Sequence, residues 1–473
     1  MLETYPSSAS AASFESPSND DRTATILVWC SWGILFFAAL LFVHMYGCNI
    51  PFCDEWMHIP QLVGDKPFDL AYLWEQHNEH RIPLPKLIAW ALLKATRFDY
   101  RAGMFLNALC LGFLALAMLL AIKKLRGYLQ LSDMFFPIAL LHLGHSDNLL
   151  WSFQISLVSS AVLSGVLLII IVQSRESITF PKALLSGIAL LLLPLCGANG
   201  LLLVPLLAAW FIVWGIRNWK LADAGSKRNS SILIFSGLCS LVLVGLYLYG
   251  YHRPPSHNLN PKPLLAFNTA LECLTMSAGP AVISLWPVSG FVVIGLILIT
   301  TAPLLFIFWQ SPQERFRSAG LILYALSFVV LIGVIGWGRA GYWRHAGFAA
   351  RYAVLTVPAL CCSYFIWEIL GSKTYRFVFQ TALFILVCSL LGLNASSGIS
   401  SAKFAKESFK TLRHDVHAGF TPQQLAQKYS YLFTYDLNLL ASGMETMSRA
   451  KLGIFKSMDR PPKTKMAKAA TQD

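Results

Sequence analysis

The chain has few charged residues, and this scarcity excludes an ordinary soluble protein. Only 13% of its 473 residues are Asp, Glu, Lys or Arg, against about 25% in a typical soluble domain. Hydrophobic residues make up 56% of the chain, and many apolar runs approach the roughly 20 residues that cross a bilayer core. The short alternating segments of a membrane β-barrel are also missing. The sequence therefore predicts an all-α polytopic membrane protein.

Three further absences narrow the function. No Gly-rich loop that could cradle a nucleotide phosphate is found. Zinc-finger spacings and a basic DNA-reading helix are missing, so the net charge of +13 is assigned to short loops beside anionic lipid head groups, not to nucleic acid. Residues 1–24 lack the positive charge of a secretory leader and are predicted to form a disordered cytoplasmic tail.

Hydropathy predicts eleven spans, with ten to thirteen as the range, inside a transmembrane domain of residues 25–393. The second span ends in the basic cluster Lys123, Lys124 and Arg126, which marks the cytoplasmic side. The loop 47–100 then faces the outside, which is the periplasm if the protein lies in an inner membrane. Residues 394–473 are predicted to form a polar, partly helical external tail. The predicted spans are about 26–46, 102–122, 134–143, 150–174, two joined by residues 197–200, 232–249, 288–309, 321–337, 353–370 and 377–393.

Two adjacent acids open the first external loop. Asp54 and Glu55 follow the first span, and a carboxylate at the membrane surface can take a proton from an acceptor hydroxyl as a general base. Either residue suits this role, because nothing in the pattern separates them. The plainer interpretation is a pair of solvated loop acids that help to set the topology.

The same loop carries His77, Asn78, Glu79, His80 and Arg81, a denser set of functional groups than an ordinary loop supplies. If the run is helical, His77 and His80 share a face and Arg81 lies one turn after His77. Binding of a phosphate or a sugar is the favoured interpretation. Zinc binding is weaker, because the run lacks the two-residue interval of His-Glu-x-x-His. A polar interfacial turn is the third alternative.

Asp147, Asn148 and Gln154 form a second polar group, which the span count places on the same side of the membrane. A Gln within a span is costly unless it is hydrogen-bonded or lines a cavity. We therefore predict that these residues contribute to substrate binding. A simple polar cap at a helix start is the alternative.

Three arginines and a tyrosine, Arg339, Arg344, Arg351 and Tyr352, lie in a predicted external loop, where basic residues should be scarce. Guanidinium groups bind phosphate through two parallel hydrogen bonds. A short loop of this kind between two spans suits the phosphate or pyrophosphate head group of a lipid. Inverted local topology and lipid anchoring are the alternatives.

The order of these pieces resembles the GT-C superfamily of membrane glycosyltransferases, which use polyprenyl-phosphate sugars, as in aminoarabinose transferases and protein mannosyltransferases. The pieces that carry the resemblance are the pair Asp54-Glu55, the Pro-Leu-Pro-Lys-Leu start of an interfacial helix at 83–87, and the basic turn at 123–127. Asp147 corresponds to the second acidic patch of the family. The run at 77–81 is not part of the aminoarabinose transferase pattern, and Asn148 leaves a single acid in the second patch.

The resemblance implies an inverting sugar transfer at the external face. One of the three arginines would hold the donor phosphate, and Asp54 or Glu55 would deprotonate the hydroxyl of a glycan, lipid or protein acceptor. No nucleotide is required, and a divalent cation such as Mg²⁺ or Mn²⁺ is left open as a cofactor without a defined metal site. Membrane lipids are the surrounding partners.

Two other functions stay open. A transporter or flippase for a lipid-linked sugar would show internal repeats and broken helices near the midplane, whereas the polar residues here collect at one face. A non-catalytic subunit of a membrane assembly would use the C-terminal tail for contacts. Convergence of Asp54, the run 77–81, Asp147 and Arg351 on one cavity would favour the enzyme.

Overall fold

A computed structural model of the chain describes residues 19–173, 178–221, 224–254, 262–433 and 436–458. Within these ranges the chain is almost entirely helical, with one two-stranded hairpin formed by β1 (Gln76–His77) and β2 (His80–Arg81). Most of the predicted N-terminal tail and the last fifteen residues lie outside the described ranges. Helix α1 already begins at Asn19, inside the segment predicted to be disordered.

The helices follow one another from the N-terminal span to a small C-terminal group. Their bounds are α1 (Asn19–Tyr46), α2 (Ile59–Val63), α3 (Leu70–Trp74), α4 (Pro83–Ala95), α5 (Arg101–Arg126), α6 (Phe135–Leu141), α7 (Ser146–Leu150), α8 (Ile155–Gln173), α9 (Phe180–Leu192), α10 (Ala198–Leu201), α11 (Val204–Leu221), α12 (Ala224–Leu248), α13 (Pro263–Thr275), α14 (Val288–Gln310), α15 (Arg315–Arg339), α16 (Ala353–Leu370), α17 (Lys373–His417), α18 (Pro422–Tyr429) and α19 (Leu437–Arg449).

Eight helices of the described chain are long and apolar enough to cross a membrane. The multi-pass all-α class is thereby confirmed, while the predicted count of eleven spans is not. The three predicted spans that fall short are the third, fifth and sixth. In their places α6 has only seven residues, about 10 Å of helix, α9 has 13 residues, and α11 ends in a polar turn that contains Arg217 and Lys220.

The core of the membrane bundle is formed by α5, α6, α8 and α16. Helix α5 packs against α1, α6 and α8, and α16 packs against α8 and α14. Most residues of α16 are buried, whereas only 22% of the residues in the apolar stretches of α1 and of α14 are buried, as in helices that face lipid. The central position of α16 puts the residues just before it, including Arg351, in the middle of one end of the bundle.

A buried ion network joins α5, α16, α17 and the turn before α6 at the opposite end of the bundle. Arg126 pairs with Asp133 at 2.9 Å and with Glu368 at 2.5 Å, and all three side chains are almost completely buried. Tyr364 donates to Asp133 and Arg376 donates to Glu368. Arg126 therefore links these helices through buried ion pairs. It also belongs to the basic turn that the sequence assigns to the cytoplasmic side.

The C-terminal segment folds back onto the first loop. Helix α17 has 45 residues, about 67 Å, so it runs through the predicted boundary at residue 393 and extends beyond a bilayer. Helix α18 begins with the predicted capping box, in which Thr421 and Gln424 each accept from the other's backbone N–H. The ends of α17, α18 and α19 share a second apolar core with the loop after α1. The C-terminal segment and the first loop thus lie at the same end of the molecule.

Candidate functional site

Glu55 points into the protein from a short 3₁₀ helix, Cys53–His58, that follows α1. Its carboxyl group accepts hydrogen bonds from the backbone N–H of Phe52 at 2.8 Å and of Phe153 at 3.0 Å. Only 6% of the residue is exposed. Burial raises the pKa of Glu55 to about 8, although these hydrogen bonds oppose the shift. Glu55 therefore ties the first loop to the start of α8 and is largely protonated at neutral pH.

Asp54 differs from its neighbour in access and in charge. Its side chain is 37% exposed, and its Oδ2 atom lies 3.9 Å from Nε2 of His77. Burial opposes ionisation of Asp54, but the neighbouring His77 imidazole and Arg351 guanidinium outweigh this and hold its pKa below the usual value. Of the two predicted acids, only Asp54 combines an ionised carboxylate with an accessible position, and this is what a general base needs.

The run from His77 to Arg81 is a β-hairpin, so the helical arrangement considered for it is wrong. His77 pairs with His80 across the two strands. Asn78 occupies the turn with a φ of 50°, a left-handed conformation that Asn tolerates better than most residues. Directly opposed residues in a hairpin lie side by side on one face. The hairpin therefore brings both imidazoles towards the same region.

The members of the hairpin have different environments. His80 accepts a hydrogen bond at Nδ1 from the Ala198 N–H, at 3.2 Å, and burial lowers its pKa to about 4. The neutral ring then carries its proton on Nε2, which lies 3.4 Å from Oε1 of Glu79. Glu79 also pairs with the guanidinium of Arg339. Asn78 is exposed at the turn.

Arg81 has a structural position. Its guanidinium group donates to the backbone carbonyls of Trp74, Tyr247, Tyr249 and Gly250 at distances of 2.8–3.1 Å. Its backbone N–H donates to the Tyr247 hydroxyl group. Every nitrogen of the guanidinium group thus has a carbonyl partner. Arg81 anchors the base of the hairpin to the end of α12, and four of the five N–H donors of its guanidinium group are used by backbone carbonyls, which favours a structural role over the substrate role predicted for it.

Arg351 and Asp147 meet where the turn before α16 packs against α7. The Asp147 carboxylate accepts a hydrogen bond from the backbone N–H of Arg351; burial raises the pKa of Asp147, and the Arg351 charge opposes that shift. The charge of Arg351 also reaches Asp54. Within the described ranges no carboxylate lies within 4.0 Å of the Arg351 guanidinium. Arg351 is thus a half-buried cation with acids nearby but, among the described residues, no direct ion pair.

A cavity of about 190 Å³ lies beside this group. One end is polar and the remainder is apolar. The polar end is lined by Glu79, His80, Arg339, Arg351 and Tyr352. The apolar wall includes Leu157, Leu202, Leu331, Val334 and Leu355 from α8, α15, α16 and the turn between α10 and α11. Such a lining suits an amphipathic ligand with an anionic head and a hydrocarbon chain.

Three other predicted site residues lie apart from the cavity lining. Arg344 is exposed at the tip of its loop. Asn148 is completely buried, and among the described residues neither polar atom of its side chain has a hydrogen-bond partner. The same holds for the Oε1 atom of buried Gln154. The predicted set is therefore divided. Glu79, His80, Arg339, Arg351 and Tyr352 line the cavity. Asp54, His77 and Asp147 lie near this group, through the contacts of Asp54 with His77 and of Asp147 with Arg351, but outside the lining. Arg81, Arg344, Asn148 and Gln154 do not line it either.

Glu272, which was not among the predicted residues, holds the conformation of the loop between α15 and α16, which carries Arg344 and Arg351. It is buried in α13, where its carboxylate contacts Nδ1 of His345 at 2.7 Å and accepts from the Gly347 N–H at 3.2 Å. Asn268 donates to the same carboxylate. The signal in the sequence is a lone acid in a largely apolar helix, which is costly unless it has partners.

Trp56 connects the loop that carries Asp54 to the C-terminal segment. The ring is fully buried, with Phe433 and Phe455 in edge-to-face contact at 5.5 and 5.7 Å. Gly443 of α19 lies so close that an added Cβ atom would be 2.7 Å from the Trp56 ring. The C-terminal helices therefore support the position of the first loop from behind.

The described residues contain no group of three or more His, Cys, Asp or Glu side chains arranged to hold a metal ion. The divalent cation considered from the sequence stays a prediction, because Mg²⁺ is often held by one or two carboxylates together with a substrate phosphate. In comparisons with known proteins, no family model matches the chain, and no curated protein is significantly similar to it. The functional assignment therefore depends on the geometry of the site.

Proposed function

We propose that the protein is an integral-membrane glycosyltransferase that moves a sugar from a polyprenyl-phosphate donor to an acceptor hydroxyl at the external face of the cell membrane. The observation that carries the proposal is the cavity with an apolar wall and a polar end that contains Arg351, with Asp54 close to this end. An acid that is ionised and accessible lies near a half-buried cation that has no ion pair within the described part of the chain. Inverting sugar transfer from a lipid phosphate uses this pair of groups.

In the proposed reaction the apolar wall holds the start of the polyprenyl chain, and Arg351 binds the phosphate. The acceptor hydroxyl oxygen attacks the anomeric carbon while its proton passes to the carboxylate of Asp54. The bond between the anomeric carbon and the phosphate oxygen breaks, and its electron pair stays on the leaving phosphate. Arg351 stabilises this added negative charge. Asp54 then returns its proton to water.

In this proposal His77 and Asp147 position the two groups that contact the substrates, Asp54 and Arg351. His77 lies beside Asp54 and helps to keep the carboxylate ionised and oriented. Asp147 accepts from the backbone of Arg351 and so holds the turn from which the guanidinium projects. Neither residue needs to contact the sugar for these roles.

The test is sugar transfer by the purified protein in nanodiscs, with a panel of polyprenyl-phosphate sugars and release of polyprenyl phosphate as the readout. Asp54→Asn is expected to lower the rate at least about 100-fold without changing the elution of the folded protein. Asp65→Asn is the matched control, because Asp65 is an exposed acid of the same loop whose pair with Arg449 lies at the surface. Full transfer by Asp54→Asn would exclude Asp54 as the base.

Transport is the competing function, and the same preparation distinguishes it. A flippase would move a labelled polyprenyl-phosphate sugar between leaflets of a vesicle without breaking the sugar–phosphate bond. Movement without cleavage, retained in Asp54→Asn, would replace the transferase proposal with a transport function.

A further inference from the structure

Glu79 occupies an unusual position at the polar end of the cavity. Its carboxylate pairs with the Arg339 guanidinium, while the neutral ring of His80 lies on its other side at 3.4 Å. Arg351 lines the same cavity and has no carboxylate within 4.0 Å among the described residues. The two guanidinium groups of one cavity are therefore in different states, one neutralised by the protein and one available to an anion.

The charge of a lipid-linked sugar changes during the proposed reaction. The donor is a phosphodiester with one negative charge, which one guanidinium group can balance. Cleavage of the sugar–phosphate bond leaves a phosphomonoester, whose second pKa of about 6 gives it nearly two negative charges at pH 7. The product thus offers one more charge than the donor, and it has to leave before the next turnover.

We propose that the carboxylate of Glu79 competes with the lipid monophosphate product for the guanidinium group of Arg339. Because Glu79 occupies Arg339, the cavity stays selective for the singly charged donor. This inference rests on the proposed function, because it concerns the charge of the donor and of the leaving group. Occupancy of Arg339 by Glu79 leaves Arg351 as the main cation for the phosphate. The doubly charged product gains no second guanidinium partner and dissociates more readily.

The hairpin that carries Glu79 is built to hold it in this place. Arg81 fixes the base of the hairpin through four carbonyl groups, and the turn at Asn78 and Glu79 extends from that base. Arg339 is the last residue of α15 and approaches from the other side of the cavity. The ion pair therefore closes a contact between two separate elements.

The test measures the binding of two probes to the protein in nanodiscs at pH 8. One is farnesyl monophosphate, and the other is farnesyl methyl phosphate, a phosphodiester with a single negative charge. Glu79→Gln is expected to raise the affinity for the monophosphate about tenfold, the gain from one charge-assisted hydrogen bond, and the affinity for the diester less than about threefold. In Glu79→Gln with Arg339→Gln the gain should disappear. Glu75→Gln, an exposed acid just before the hairpin, is the matched control and should bind both probes like the native protein.

Equal gains for both probes, weaker binding of the monophosphate by Glu79→Gln, or no binding of either probe would overturn the inference. The binding measurement needs no sugar transfer, so it separates this inference from the proposed function. If Glu79→Gln binds the monophosphate more tightly and the protein never transfers sugar, the role of Glu79 stands and the proposed transferase function is rejected. If sugar transfer depends on Asp54 and Glu79→Gln binds both probes like the native protein, the transferase function stands and the role of Glu79 is rejected.

Discussion

The two adjacent acids offer the sharpest prediction, because the same chemical change should have opposite consequences at the two positions. Asp54→Asn and Glu55→Gln each replace a carboxyl group with an amide of nearly the same shape. Asp54 is partly exposed and lies beside His77, whereas Glu55 is buried and accepts from two backbone N–H groups. We expect Asp54→Asn to remove activity and leave the fold intact, and Glu55→Gln to destabilise the fold and leave the chemistry in place.

The magnitudes follow from the contacts of each side chain. In Glu55→Gln the new NH₂ group faces one of the two backbone N–H donors, and a buried donor without a partner costs about 1–3 kcal/mol. Asp54→Asn removes a partly exposed charge near His77 and Arg351, an effect of about 1 kcal/mol or less after screening by solvent. Loss of a general base lowers the rate by a factor of about 10²–10⁴.

The assay compares both variants in the same detergent, with the heat-denaturation midpoint from size-exclusion chromatography and the transfer rate per folded molecule from nanodiscs. Glu55→Gln should lower the midpoint and keep the rate within about tenfold, since the Phe153 contact affects only the placement of the loop. Asp54→Asn should keep the midpoint within a few degrees and lose transfer. A stable but inactive Glu55→Gln together with an active Asp54→Asn would refute the assignment of the two acids.

Other parts of the structure give further predictions. Because burial raises the pKa of Glu55 above its value in the unfolded chain, its contribution to stability is complete below about pH 4.5 and is lost as the pH rises through about 8; denaturation midpoints measured across this range should show a decline that Glu55→Gln lacks. Gly443→Val should displace the ring of Trp56 and raise the maleimide labelling of Cys53, while Gly245→Val, with open space around it, should not. Arg126→Gln leaves the buried carboxylate of Asp133 without its cation and leaves Glu368 with Arg376 alone, so we expect a loss of about 3–5 kcal/mol of stability, seen as a lower midpoint; an unchanged midpoint would contradict the proposed link between helices.

Several features of this protein follow from the sequence alone. Apolar runs of sufficient length become helices because a chain in lipid has to satisfy its own backbone hydrogen bonds, and eight of the predicted spans appear as such helices. The capping box at Thr421 depends only on residues three apart and was also predicted correctly. The short third span shows the limit of hydropathy, since α6 is apolar because it is buried between other helices, not because it crosses the membrane.

Tertiary structure alone decided which of the candidate groups meet, and in which state. Asp54 and Glu55 are equivalent in the sequence, but His77 and Arg351 favour the ionised form of Asp54, whereas burial in the folded chain favours the protonated form of Glu55. Arg81 and Arg339 both looked like phosphate ligands, yet the first donates to backbone carbonyls and the second pairs with Glu79. Local sequence fixes the length and polarity of each segment. The charge, access and partners of a side chain depend on segments far apart in the chain, so they are determined only when the helices pack.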